Sequence, residues 1–184
     1  MNQIRSSYKN KDINYGELIE TITYYVNPKS ILEIGILDGY SIQNFLKGSN
    51  KDTLIKAYDI FDDFNGNHSN ETELKELFKE YKNVEISYGD FFKLHDIIID
   101  NSIDMIHIDI ANNGYIYEYA IKNYIPKLTS GGIMILEGGS NERDEVEWMI
   151  KYNKPKINPV LQKYSNLYNI KTIGSFPSIT IIKN

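Results

Sequence analysis

The sequence predicts an α/β fold, a three-layer sandwich in which a seven-stranded, mostly parallel sheet lies between helices and carries an antiparallel strand at its C-terminal end. Three observations predict it. Apolar runs of strand character alternate five times with helical segments along the chain. A pair of strands, joined by a tight turn at Pro177, closes it. The first strand runs into a glycine turn, Gly35 to Gly39, that opens directly onto a helix. Alternation of this kind implies parallel strands with helices on both faces. A closing hairpin on such a sheet makes one strand antiparallel.

Each element follows from local pattern. Residues 1–12 are polar and read as a flexible arm. Tyr15 to Val26 carries Leu18, Ile19 and Ile22 at helical spacing and stops at Asn27-Pro28. Ile31 to Ile34 is the first strand, and Ile42, Phe45 and Leu46 mark the helix after it. Leu54 to Phe61 is the second strand, Asp62 to Asn70 a polar loop, and Glu71 to Tyr81 a helix with Leu74, Leu77 and Phe78 on one face. Val84 to Tyr88 is the third strand, and a short helix or turn ends at Ile97 to Ile99. Ile103 to Ile110 is nearly all apolar, as befits the middle of a parallel sheet. A helix over Tyr115 to Leu128, a turn at Ser130-Gly131-Gly132, a strand at Ile133 to Leu136 and a helix over Glu142 to Tyr152 follow. The closing strands are Asn169 to Phe176 and Ser178 to Lys183. The 184 residues read as a single domain, with residues 1–26 forming an N-terminal arm and helix.

Composition narrows the function classes. The net charge is −5, and the lysines are scattered among acids, so no basic face points to nucleic acid. No apolar run approaches the roughly 20 residues that cross a bilayer. The polar N-terminus does not read as a signal peptide. Without cysteine there is no disulfide, thiolate metal site or cysteine nucleophile. The expectation is a cytoplasmic protein that binds neither nucleic acid nor membrane.

In an open α/β sheet, ligands bind at the carboxyl ends of the strands near the point where strand order reverses. The chemistry is therefore sought in the residues that end each strand. The first strand gives Glu33-x-Gly35-x-x-x-Gly39. It is neither GxGxxG nor a P-loop, because position 37 is leucine and no Gly-Lys-Ser/Thr follows. The second ends in Asp59-Ile60, whose acid suits a vicinal ribose diol, with Asp62 and Asp63 as alternatives. The third ends in Gly89-Asp90-Phe91. The fourth carries His107 and ends in Asp109, and the fifth ends in Glu137-Gly138.

A strand-borne acid followed by Gly-x-x-x-Gly resembles motif I of the class I S-adenosylmethionine (SAM) methyltransferases, and the whole Rossmann-like alternation is similar to their seven-stranded fold. The resemblance implies that SAM is held by Glu33, Gly35, Gly39, Ser41, Asp59, Ile60, Gly89, Asp90, Phe91 and Asp109. It implies adenine recognition by Asp90 beside Phe91. Glu33-Ile34-Gly35 with Gly39-Tyr40-Ser41, the Asp59-Ile-Phe-Asp-Asp-Phe-Asn-Gly segment, His107-Ile-Asp109 and Leu128-Thr-Ser-Gly-Gly-Ile are similar to the macrocin O-methyltransferase and cephalosporin-hydroxylase-like small-molecule group. That group holds Mg²⁺ with an acid after the fourth strand and an Asp-Asp pair after the fifth. Here Asp109 matches the first, while Glu137-Gly138 stands in place of the pair.

The implied function is O-methylation of a small molecule or sugar. The alternatives are a SAM-binding scaffold without turnover, or another nucleotide-cofactor enzyme on the same fold. Asp109, Glu137 and His107 are the candidate catalytic residues. Asp109 and Glu137 either bind Mg²⁺ through hard oxygens or deprotonate the acceptor directly. His107 has a second reading as a packed core residue. Arg143 faces either an anionic acceptor or a neighbouring acid, His68 is a lid residue or plain solvent-exposed, and Trp148 is expected in the core. The acceptor pocket is expected from the N-terminal arm and helix and residues 62–70, 111–115 and 138–144, completed if need be by a second copy in a homodimer.

Overall fold

The computed structural model describes residues 4–63 and 67–183. It contains one seven-stranded sheet of order β3-β2-β1-β4-β5-β7-β6. Strands β1 (Ser30–Ile34), β2 (Leu54–Asp59), β3 (Val84–Tyr88), β4 (Ile103–Ile108) and β5 (Leu128–Glu137) are mutually parallel. Strand β7 (Ser178–Lys183) runs antiparallel between β5 and β6 (Asn169–Gly174). The order reverses between β1 and β4, which defines the switch point.

Side-chain alternation assigns the two faces. Leu32, Ile34, Ile106, Ile108, Met134 and Leu136 pack against α4 (Phe91–Ile97), α5 (Gly114–Tyr124) and α8 (Asn158–Tyr164). Ile31, Met105, Ile133 and Ile135 pack on the other face with Ile19 of α1 (Gly16–Val26) and Phe45 of α2 (Tyr40–Gly48). A smaller cluster under β2 and β3 takes Leu74 of α3 (Glu71–Leu77) and Phe78. Glu33 and His107 interrupt the second face as a laterally paired couple in adjacent strands. Among the described residues no helix is long and apolar enough to cross a membrane.

Three local expectations change. Ser130-Gly131-Gly132 is not a turn before the fifth strand. It bulges within β5, which pairs through Leu128 with Ile103 and through Ile133 with Met105. The helix expected over 142–152 is two short ones, α6 (Asn141–Asp144) and α7 (Glu147–Lys151), separated by an extended Val146. The break has a cause: the Asp144 carboxylate accepts from the Ile157 and Asn158 backbone N–H groups and from the Asn158 amide. It thereby caps α8 from a distance. That helix was not foreseen, although Pro159 in its first turn and the buried Val160 and Leu161 carry its signal.

The third change is the arm. Residues 4–12 dock at the carboxyl end of the central strand β4 rather than hanging free. Tyr8 is 1% exposed, and its hydroxyl lies 2.7 Å from His107 Nε2. Tyr15 N–H donates to the Tyr8 carbonyl, and Lys9 bridges to Asn14, so a short turn folds the arm back towards α1. A single aromatic in a polar run cannot declare its distant partner, which is why the arm reads as loose.

Replacing Tyr8 by alanine empties this buried site, so Tyr8→Ala should lose about 3 kcal/mol or more of unfolding free energy in urea titration. An arm that did not dock would leave the midpoint unchanged.

Candidate functional site

A cavity of about 430 Å³ opens at the carboxyl edge of β1, β2, β3 and β4. It falls within the range of small-molecule sites, and it straddles the switch point. Its walls come from the residues that end each strand: Gly35 to Leu37 after β1, Asp59 and Ile60 after β2, Gly89 to Phe91 after β3, and Asp109 to Ala111 after β4.

Gly35 sets the geometry. Its φ is +93°, and a Cβ there would stand 2.1 Å from the Asp109 carbonyl oxygen. Only glycine lets the ends of β1 and β4 meet so closely. Gly39, at φ +75°, starts α2, and a Cβ on it would strike the Phe78 ring at 2.6 Å. Gly39 thus fits the helix start against the segment after α3 and does not line the cavity. Ser41, in the first turn of α2, does line it.

Asp59 ties the walls together. Its Oδ2 accepts from Ile36 N–H at 2.8 Å, and its Oδ1 from Phe61 N–H at 2.9 Å and the Asn67 amide at 2.6 Å. These donors fix the carboxylate at the cavity wall. Asp62 and Asp63, the alternatives, are exposed and off the cavity, and Asp63 accepts from the Tyr88 hydroxyl. Residues 64–66, part of the segment similar to the O-methyltransferases, lie outside the described residues.

Asp90 caps α4 by accepting from Phe92 N–H at 2.9 Å. That hydrogen bond, helped by Lys93, holds its carboxyl below the usual range, so it is ionised at neutral pH. Phe91 lines the cavity while its ring stacks on Tyr124 at 5.2 Å.

Asp109 stands half-buried at the wall and accepts a hydrogen bond from the Ser7 hydroxyl. Burial, and secondly the charge of Glu137, push its carboxyl up to about 7; the His107 ring and the Ser7 hydroxyl act in the opposite sense. A carboxyl poised there can exchange a proton at neutral pH.

Three expected site residues sit behind the cavity rather than in it. Glu33 is fully buried; its Oε1 accepts from Ser41 Oγ and lies 3.5 Å from His107 Nδ1. His107 is also fully buried, screened from the cavity by Tyr8. Burial keeps the Tyr8 phenol protonated beside His107 Nε2, while the other ring nitrogen faces Glu33. The two residues form a scaffold under Ser41 and the arm.

Glu137 is the third. Arg143 grips both its oxygens, Nε to Oε1 at 2.7 Å and Nη2 to Oε2 at 2.9 Å. The guanidinium also stacks over the Trp148 ring at 5.2 Å and donates to the Asn112 carbonyl at 3.3 Å. Arg143 therefore answers an internal acid rather than an anionic ligand, and half-buried Trp148 packs on it rather than in the core. With Glu137 so engaged, the Asp109–Glu137 pair does not fit Mg²⁺. No cluster of three or more His, Cys, Asp or Glu suited to a metal occurs among the described residues.

The arm supplies the wall that sequence reasoning placed only in outline. Arg5, Ser6, Ser7 and Tyr8 line the cavity, joined by Asn67 and the exposed His68. His95 lies elsewhere, against Tyr119. Removing the partner of buried Glu137 leaves a charge without compensation, so Arg143→Met should cost about 3–5 kcal/mol in denaturant unfolding. A Glu137→Gln, Arg143→Met double variant should recover part of that loss.

The comparisons with known proteins agree with this fold. No curated protein matches the sequence. The structure is similar to an O-methyltransferase from Bacillus cereus in complex with S-adenosylhomocysteine (SAH), at 16% identity and TM-score 0.67, covering 98% of this chain and 84% of that one. It is similar to the O-methyltransferase TomG from Streptomyces achromogenes in complex with SAM, at 14% identity and TM-score 0.64, covering 91% and 78%. It is similar also to the SAH-bound methyltransferase PaMTH1 from Podospora anserina, at 17% identity and TM-score 0.63, covering 91% and 76%. Residues 32–137, which run from within β1 to the end of β5, match the family described as methyltransferase domain. The chain belongs to the methyltransferase domain family.

Proposed function

We propose that this protein is a SAM-dependent O-methyltransferase acting on a hydroxyl of a small molecule or sugar. The observation that carries the proposal is the cavity itself, which gathers Gly35, Asp59, Asp90 and Asp109 at the ends of four adjacent parallel strands, with Ser41 from the first turn of α2. In this reading Asp59 receives a ribose hydroxyl, and ionised Asp90 accepts from an amino group of the base. Ile36, Leu37, Ile60 and Ile110 give the apolar surface that a planar base and a thioether chain need.

SAM supplies the electrophilic methyl; this chain supplies position and proton handling. The acceptor oxygen is selected at Asp109, the wall carboxyl that burial raises to about 7. A hydroxyl already donates to it in the structure, that of Ser7. In its ionised form Asp109 accepts the acceptor's O–H and takes the proton as the oxygen gains the methyl. The engagement of Glu137 by Arg143 leaves that task to Asp109 alone, without a metal.

Isothermal titration with SAH should show micromolar binding. Asp59→Ala should weaken it by about tenfold or more, the scale of a charge-assisted hydrogen bond and the wall contacts it fixes. Asp109→Asn should bind SAH much as the parent does and lose turnover of hydroxylated acceptors. No SAH binding by the parent would contradict the proposal.

The pH dependence has a defined sign. The active form of Asp109 is the carboxylate, and its carboxyl is raised to about 7. The kcat/KM for any acceptor that turns over should therefore climb as pH rises through about 7 and level above it. Asp109→Asn should abolish that limb.

A further inference from the structure

The arm crosses the cavity mouth over the ends of three neighbouring strands and is fastened at each. Over β4, the buried Tyr8 hydroxyl meets His107, and Ser7 donates to Asp109. Over the β1–α2 turn, Arg5 makes three hydrogen bonds to Asp38: its backbone N–H and Nε to Oδ2 at 2.8 and 2.9 Å, and Nη2 to Oδ1 at 2.6 Å. Over the segment after β2, Arg5 Nη2 also donates to the His68 carbonyl at 3.2 Å. Asp38 sits between Leu37, a cavity residue held at φ +51°, and Gly39. A non-glycine residue at such a φ is strained and persists only where its surroundings hold it; here Asp38 is gripped by Arg5 and the Leu37 carbonyl accepts from Ser69.

These fastenings differ in strength. Tyr8 is buried, whereas the Arg5 and Asp38 side chains are 48% and 24% exposed. A forked guanidinium–carboxylate contact is directional and strong for a surface pair, but it is exposed to salt and opens far more readily than a buried aromatic anchor. The arm therefore has a fixed end at Tyr8 and a releasable end at Arg5, with the cavity beneath.

We infer that Arg5 is a positioning residue of the cofactor site: by clamping Asp38 and the His68 carbonyl it holds residues 5–7 as the roof of the cavity, and the bound cofactor leaves through the opening of that clamp. The inference rests on the methyltransferase reading of the cavity and adds to it a residue outside the family-matched segment, which begins at residue 32. The clamp also decides when Ser7 covers Asp109. While Arg5 is fastened, the Ser7 hydroxyl occupies the carboxylate; an acceptor hydroxyl reaches Asp109 as the roof shifts.

The test is the dissociation rate of SAH, read by stopped-flow displacement at low and high salt. In the parent protein, release should be slow and should quicken with salt. Arg5→Ala should release SAH about tenfold faster, with little remaining salt dependence and an unchanged unfolding temperature. Asp38→Asn should act similarly, and the double variant should release SAH no faster than either single one, because both remove the same contact. Arg5→Lys, which keeps the charge but loses the fork, should fall between parent and alanine. Binding of SAH with release unaltered in Arg5→Ala would overturn this inference alone. A fall in unfolding temperature without a change in release would overturn it too, by assigning the pair a purely structural part. Failure of the parent to bind SAH would remove the cofactor reading and this inference with it.

Discussion

The contact between Gly35 and the carbonyl of Asp109 is the constraint on which the site depends. Parallel strands in register bring their carboxyl ends to one edge, but side chains normally keep those ends apart. At β1 and β4 a missing Cβ removes that spacing. Gly35 N–H then bonds the Tyr58 carbonyl and Asp109 N–H the Ile34 carbonyl, so three strand ends are locked together at the switch point. The turn after Gly35 is bound to Asp59 through Ile36 N–H, and Asp109 faces the same space. A larger residue at position 35 would disturb all of these at once.

Behind that edge, polar residues in the core do structural work that leaves the front free for ligand. Glu33 and His107 sit side by side under Ser41 and Tyr8, and Glu137 is paired with Arg143 beneath Trp148. Buried charges persist where partners satisfy them. The Glu137–Arg143 pair, with Glu33 and His107, surrounds Asp109 with polarity, yet Asp109 alone of these acids reaches the cavity wall. Its raised carboxyl follows from that position, between burial on one side and the Glu137 charge on another.

What was legible in the sequence is what local pattern encodes. Strand character and helical spacing gave the element order, and the residues at strand ends gave Gly35, Asp59, Asp90 and Asp109 on a common wall, because topology alone brings strand ends together. What was not legible depends on partners far apart in the chain. The docking of Tyr8 requires His107, 99 residues away, and the clamp of Arg5 requires Asp38, 33 residues away. The diversion of Asp144 to cap α8 broke a helix that its own sequence supports. Glu33 shows the limit from the other side: its place on the first strand is legible, but only the packing of Ser41 and His107 against it reveals that it lies behind the cavity.

Whether the cavity across the switch point holds SAM beneath the arm is decided by a crystal structure with SAH. The ligand should lie from Gly35 and Ser41 to Asp90, with a ribose hydroxyl on Asp59 and residues 5–7 closed above it. A ligand seated elsewhere on the protein, or an arm displaced from a cavity that holds it, would overturn the proposed site.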